Sequence, residues 1–318
     1  MDVHILITVF ESVALLLGIG IVGLWVMSRR VLPQEAMGML STLALDITLP
    51  CLVFVNILSN FQPEEFPDWW LLPLYWGVFT LFQGGLTAAF SFFSKRETRR
   101  EFAASLFYQN ALFFPLAILG EMFGVDSPYV VQLFFFMLLF PSLLFSTAHL
   151  FFRKTQNSFN WSKIVNKVLL ATILATSLRL FGGQALVPDF AVSALRLIGN
   201  MTLPLLFLIL GGNIYIDFKA QGKMHPREVG KFVLVKNFLF PVASLLMLVL
   251  FRPPFHIALL VILEASVPPI TAIPILTERA GGNREIVNQF MVASFAVSLV
   301  SIPLMMGLFS LYFVPPVP

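Results

Sequence analysis

The stretch Glu264-Ala265-Ser266-Val267-Pro268-Pro269-Ile270-Thr271-Ala272-Ile273-Pro274 sets a carboxylate and three prolines inside an otherwise apolar run at about residues 256-277. A run of that length and composition reads as a helix crossing a bilayer, whose hydrocarbon core takes roughly 20 apolar residues per span. Proline removes a backbone donor and displaces the carbonyl one turn earlier from its hydrogen bond. Hydrocarbon satisfies neither group, so broken backbone at that depth persists only where protein or a water-filled cavity covers it. The same features occur earlier, in Phe107-Tyr108-Gln109-Asn110-Ala111-Leu112-Phe113-Phe114-Pro115, where Asn110 precedes Pro115 as Glu264 precedes Pro269. Two broken spans are thus expected, with carbonyls near residues 111 and 265 freed from helical pairing.

The remainder of the chain is of the same kind. Of its 318 residues 58% are hydrophobic and 12% charged, with mean hydropathy +0.87, against roughly 25% charged residues in an ordinary soluble domain. Apolar runs fall at about 4-27, 36-57, 70-93, 102-121, 129-152, 163-182, 191-213, 229-251, 256-277 and 288-313. They predict an all-α integral membrane protein of about ten helices, with little chain left for a soluble domain. The net charge of +3 and the pI of about 9.1 do not point to nucleic acid, because the basic residues sit in short loops. Sixteen of the twenty Lys and Arg fall in alternate connections, from Arg29 and Arg30 to Arg279 and Arg284. The intervening loops carry Glu64, Glu65, Asp68, Glu121, Asp126 and Asp189. By the positive-inside rule both termini are expected outside the cytoplasm of a multi-pass protein of the cell (inner) membrane. Trp25, Trp69, Trp70 and Trp161 fall at span ends, as an aromatic belt requires. Met1 to His4 carries no Lys or Arg, and the apolar stretch Ile5 to Met27 is too long for a cleavable signal, so it reads as the first span. The single cysteine, Cys51, offers neither a disulfide framework nor a thiolate cluster.

Internal similarity adds an organising rule. A shift of 154 residues lays Thr48-Leu49-Pro50 on Thr202-Leu203-Pro204. It also sets Asp46 opposite Asn200, Asn110 opposite Glu264 and Pro115 opposite Pro269. With eight residues added for a longer loop, Pro141 falls on Pro303. Two five-helix repeats are expected, residues 1-155 and 156-318. An odd number of spans inverts the second copy, the plan of many secondary transporters.

Each break is expected to present half-helix ends, the N-terminal one attractive to anions and the C-terminal one to cations. The plainer alternative is a pair of ordinary proline kinks. Glu264 stands out because a mid-span carboxylate costs a few kcal/mol or more unless paired, protonated or functional. It is expected to couple transport to a proton or to a sodium ion bound nearby, with Asn110 as its counterpart. Otherwise it is a protonated acid tying two helices together. Gln109, Asn110, Pro115, Ser266, Pro268 and Pro269 form the expected substrate-binding set, with Asp46 and Asn200 on the opposite wall of the same cavity or, alternatively, capping kinked helices. Lys236 either attracts an anionic substrate or, the preferred reading, snorkels to the headgroups. Asn237 lies beside it, and Gln83 takes the place of Asn237 in the first repeat. Glu11 and His149 lie nearer the interfaces, where charge is unremarkable. The four histidines have no metal-ligand spacing, no glycine-rich phosphate loop opens a helix, and Asp46 has no second intramembrane aspartate. An enzyme is therefore not expected, and no cofactor.

Leu45-Asp46-Ile47-Thr48-Leu49-Pro50-Cys51-Leu52-Val53-Phe54 resembles the second-span LPxLxF pattern of the auxin efflux carrier family. Glu264 to Pro269, then Thr277-Glu278-Arg279-Ala280-Gly281-Gly282 and Ser301-Ile302-Pro303-Leu304, are similar to the ninth and tenth spans of its bacterial members. The resemblance implies the architecture shared with bile acid:sodium symporters in the bile acid/arsenite/riboflavin transporter superfamily. Helices 1, 2, 6 and 7 would form a scaffold, and helices 3-5 and 8-10 a transport domain in which helices 4 and 9 cross. It implies organic anions as substrates, such as auxin-like acids, malate or malonate, and leaves a homodimer open. Two departures from plant members stand out: no long loop follows the fifth span, and Glu264 sits where those carriers are uncharged. Sodium-coupled uptake of an amphipathic acid and a membrane sensor that binds without transport are the alternatives.

Overall fold

Proline position explains where the helices bend. A computed structural model describes residues 3–147, 151–152, 166–219 and 224–315. Its helices in chain order are α1 (Val3–Ser28), α2 (Gln34–Asn60), α3 (Trp69–Phe93), α4 (Arg99–Phe107), α5 (Phe113–Phe123), α6 (Pro128–Phe136) and α7 (Phe140–Thr147). There follow α8 (Lys167–Leu180), α9 (Asp189–Ile216), α10 (Pro226–Phe251), α11 (Phe255–Ser266), α12 (Ile273–Arg279) and α13 (Arg284–Phe309). Six of these, α1, α2, α3, α9, α10 and α13, are long and apolar enough to cross a membrane. The run at 102-121 is two short helices, α4 and α5, and the run at 256-277 is likewise α11 and α12. Among the described residues no strand forms, and the only sheet-like pairing is one isolated bridge, Gln109 with Pro269. Arg153, Lys154, Trp161, Lys163, Lys223 and His149 lie outside the described residues.

In α2 and α10 the chain widens into a π turn, Ala44–Thr48 and Val235–Leu239, just ahead of Pro50 and Pro241. A proline ring clashes with the carbonyl four residues back, and one wide turn relieves the clash without ending the helix. The residues four back are Asp46 and Asn237. Pro303 sits inside α13 with no break in the helix.

The exposed surface is largely apolar: Leu81, Leu250, Phe190 and Phe181 are each more than three-quarters exposed. Such a surface suits lipid. Trp25 and Trp70 are exposed at helix ends, as a belt at the headgroups requires, whereas Trp69 turns inward onto Phe61 and Phe135.

Inside, α1 packs along α9 and against α13 and α5, while α2 packs on α8 and α9. The α1–α9 contact is backbone on backbone. A Cβ at Gly211 would lie 1.7 Å from the Gly20 carbonyl oxygen, and one at Gly23 would lie 2.0 Å from that of Leu208. Where lipid is as apolar as leucine, close approach through small residues is what drives helices together. Where α2 meets the bend of α9, the Thr202 hydroxyl lies 2.9 Å from that of Thr48, its counterpart under the 154-residue shift. A second cluster, Phe102, Phe232 and Phe290, joins α4, α10 and α13, with the last two rings stacked at 4.5 Å.

Gly211→Ala and Gly23→Ala are expected to destabilise the protein by overpacking, by about 1–3 kcal/mol. Gly18→Ala, which meets no atom within 4 Å, should leave the melting temperature in detergent unchanged. Equal melting temperatures for all three variants would refute the close α1–α9 contact.

Candidate functional site

The second break follows from its sequence. Proline disfavours helical backbone in the residue before it, and Val267, ahead of Pro268, is extended at φ −77, ψ 153. Pro274, the second residue of α12, starts the next half-helix where a missing N–H costs nothing. The first break is less legible. Tyr108 leaves the helix at φ −92, ψ 98 with no proline after it, and Pro115 is the third residue of α5.

Each break satisfies the other. The Asn110 N–H donates to the Pro268 carbonyl at 2.8 Å, and the Ile270 N–H donates to the Tyr108 carbonyl at 2.9 Å. Gln109 and Pro269 face one another between these bonds in an antiparallel bridge. A residue so placed uses no N–H, so Pro269 sits where its missing donor is not needed and Pro268 contributes only its carbonyl. The two bonds are reciprocal at a spacing of 160 residues, not 154. The spacing of 154 therefore fails at the crossing. Pro115 lies in the first turn of a half-helix, as Pro274 does, and does not match Pro269, and Asn110 does not stand opposite Glu264.

The buried side chains form a short polar line. Glu264, in the last turn of α11, is fully buried, and its Oε2 accepts from Gln109 Nε2 at 2.8 Å. The Gln109 side-chain oxygen in turn accepts from Gln83 of α3. Gln109, not Asn110, is thus the partner of Glu264. The Asn110 side-chain oxygen instead accepts from the Phe113 N–H at 3.3 Å, at the start of α5. Glu264 Oε1 and Asn110 Nδ2 are buried without a hydrogen-bond partner among the described residues. Ser266 is occupied by the Ile262 carbonyl at 2.7 Å.

Lys236 does not snorkel. It is fully buried on the π turn of α10, its ammonium 3.5 Å from the Leu106 carbonyl and 5.3 Å from the Phe240 ring centre, within electrostatic reach of Glu264. The rotation that turns Lys236 inward leaves Asn237 buried as well, where it bridges Ser294 and Ser301 of α13.

A cavity of about 400 Å³ lies between α1, α2 and α9 on one side and α5 on the other. Leu15, Leu52, Leu116 and Leu203 give it apolar walls, and Ser12, Asn56, Glu121 and Asn200 add polar groups. Arg196 of α9 also lines it, donating to Asp126 at 2.9 Å and to Ser59 at 3.1 Å, and Asn60 holds Asp126 at 3.1 Å. Of the expected site residues only Asn200 lines this cavity. Asp46 is not on its opposite wall: it is half-exposed on the π turn of α2 and paired with Lys167 at 3.0 Å. Asn56 and Arg196 were not expected in the site. The signals available were a lone amide in an apolar run and one of the few basic residues on the acidic side of the chain.

A chain built of long apolar helices, with two broken helices that complete each other's backbone bonding, has the build of an integral membrane transport protein. It matches the membrane transport protein family over residues 8–159 and 141–306, and the chain belongs to that family, the auxin efflux carriers, a family of transporters rather than of enzymes. It is also 29% identical over 77 residues to an uncharacterized transporter of Saccharomyces cerevisiae, a match taking in 24% of this chain and 18% of the yeast protein.

Gln109→Leu keeps the bridge but removes both amide bonds, leaving Gln83 and Glu264 short of a partner. A loss of about 1–3 kcal/mol is expected, read as a lower melting temperature; Asn60→Leu, on the exposed rim, should cost less. Equal losses would contradict the buried line Gln83–Gln109–Glu264.

Proposed function

We propose that this protein is a secondary active transporter of a small organic anion, working by alternating access around the crossing of its two broken spans. The observation that carries the proposal is the reciprocal pair of backbone bonds between Tyr108–Asn110 and Pro268–Ile270. Two interrupted spans that complete each other's hydrogen bonding make a unit able to move whole, and the cavity lies where α5 of that unit meets α1, α2 and α9. On this reading the short helices pair into further spans, giving ten in two inverted repeats, 1-155 and 156-318. Helices 1, 2, 6 and 7 are the scaffold, and helices 3-5 and 8-10 move against it. The reciprocity at 160 residues and the Thr48–Thr202 contact at 154 support a pseudo-two-fold relation between the halves. The basic loops face the cytoplasm of a cell membrane, and both termini lie on the other side.

Arg196 and Asn200 meet the acid group of the substrate at the cavity, and the leucine walls take its body. That lining favours an acid with an apolar part over a compact dicarboxylate such as malate or malonate, and keeps uptake of an amphipathic acid in view as the second reading. Glu264, joined through Gln109 to the crossing, is the coupling group, with a proton or a sodium ion as the coupling ion.

Uptake into proteoliposomes of labelled mono- and dicarboxylates, under imposed pH or sodium gradients, tests the proposal. Saturable flux is expected, highest for monocarboxylates with an apolar body. Glu264→Gln should abolish any dependence on the cation gradient, and Arg196→Gln should raise KM at least tenfold. Saturable binding with no flux would identify a sensor instead, and an unchanged gradient dependence in Glu264→Gln would remove Glu264 from coupling.

A further inference from the structure

Four charged side chains are buried among the described residues: Glu101, Glu228, Lys236 and Glu264. Two are settled locally. Glu228 is paired with Lys231 at 2.8 Å and also accepts from Ser94 and the Lys95 N–H. Glu101 accepts from the Asn283 N–H at 3.0 Å where α13 begins. Lys236 and Glu264 remain. They sit on different helices, both fully buried, within reach of each other's charge and joined by no direct bond.

The surroundings of Lys236 are those of a bound cation. Leu106 is one residue from the C-terminus of α4, where carbonyls have no helical partner and the helix end carries partial negative charge. The ammonium lies against that carbonyl on one side and the face of Phe240 on the other. The carboxylate of Glu264 stands at a second such end, that of α11. Two half-helix C-termini and a carboxylate thus converge on a region where one positive charge is needed. Lys236 supplies it from within the chain, held in place by the π turn ahead of Pro241. It does not line the cavity, so it is not placed to meet a substrate anion.

We propose that Lys236 is a tethered counter-cation, its ammonium supplying at the crossing the positive charge that a bound sodium ion would otherwise provide, so that sodium is not a coupling ion of this protein. A sodium ion added beside Glu264 would leave the buried region with a net positive charge, which is costly away from bulk solvent. With the lysine in place, the carboxylate is already balanced. The inference rests on Glu264 being the charged group at the crossing, as in the transport reading, and it narrows the ions left for coupling to the proton.

The test compares melting temperatures of the purified full chain in detergent, in sodium chloride and in choline chloride at equal ionic strength. The wild type is expected to melt at the same temperature in both. Lys236→Met leaves Glu264 uncompensated and should gain a sodium-dependent stabilisation of several degrees, as a ligand binding only the folded state produces. Lys236→Arg, which keeps the charge, and the double variant Lys236→Met/Glu264→Gln, which removes both charges, should show no sodium response. Should Lys236→Met not be recovered folded, recovery of the double variant supports the charge pairing and equal loss of both overturns it. Sodium stabilisation of the wild type, or a folded Lys236→Met with no sodium response, also overturns the proposal. Melting does not depend on flux, so a protein that proves not to transport defeats the transport reading and leaves this result standing.

Discussion

A backbone amide inside a bilayer has no water to bond, and the fold follows from where this chain breaks that rule and how it repairs the breach. Each interrupted span leaves donors and acceptors that its own helix cannot use. At residues 108–110 and 268–270 the two interruptions are placed side by side and supply one another's partners. Neither break is viable alone. That mutual dependence fixes α4, α5, α11 and α12 relative to each other and so brings Gln109 to Glu264. It also accounts for a proline pair at mid-span, because the bridge asks nothing of the Pro269 nitrogen.

The membrane class and the two breaks were legible in the sequence because they rest on local quantities: apolar length, and the backbone consequences of proline. The partners of the polar residues were not. Asn110 and Glu264 match on a uniform shift of 154, but the crossing is set by a bridge whose register is 160; that register puts Ala104, not Asn110, at the place of Glu264, and the carboxylate finds its partner in Gln109 instead. The inward direction of Lys236 is hidden from the sequence for a related reason. Its depth in the span is compatible with snorkelling, and only the widened turn ahead of Pro241 turns it inward. The same kind of turn ahead of Pro50 leaves Asp46 on the outside, paired with Lys167. Sequence depth gives no sign of which way such a turn will point a side chain. Arg196 and Asn56, which line the cavity, lie on helices far apart along the chain and come together only through tertiary packing.

Two kinds of interface meet at the cavity. The α1–α9 contact is backbone against backbone at glycines and leaves no room to slide. The α5 side is different: leucine and alanine line the cavity there, and the link to α9 at the rim is the exposed pair Arg196–Asp126. Exposed ion pairs contribute little to stability. Deeper in, α5 meets α9 through the buried rings of Phe114 and Phe207, 5.5 Å apart, so this interface is made by side chains where the α1–α9 one is made by backbone.

Lys236 and Glu264 have a further effect once the electrical potential across the bilayer is considered. A charge carried through that potential exchanges about 2.3 kcal/mol with it for every 100 mV. Lys236 is on α10 and Glu264 on α11, so both belong to the group of helices proposed to move. An ammonium and a carboxylate that travel together transfer no net charge, as does the same pair with its proton shared. The empty domain would then return across the membrane without electrical work. The voltage would act on the loaded protein alone, through the charge of its cargo and of any proton carried with it.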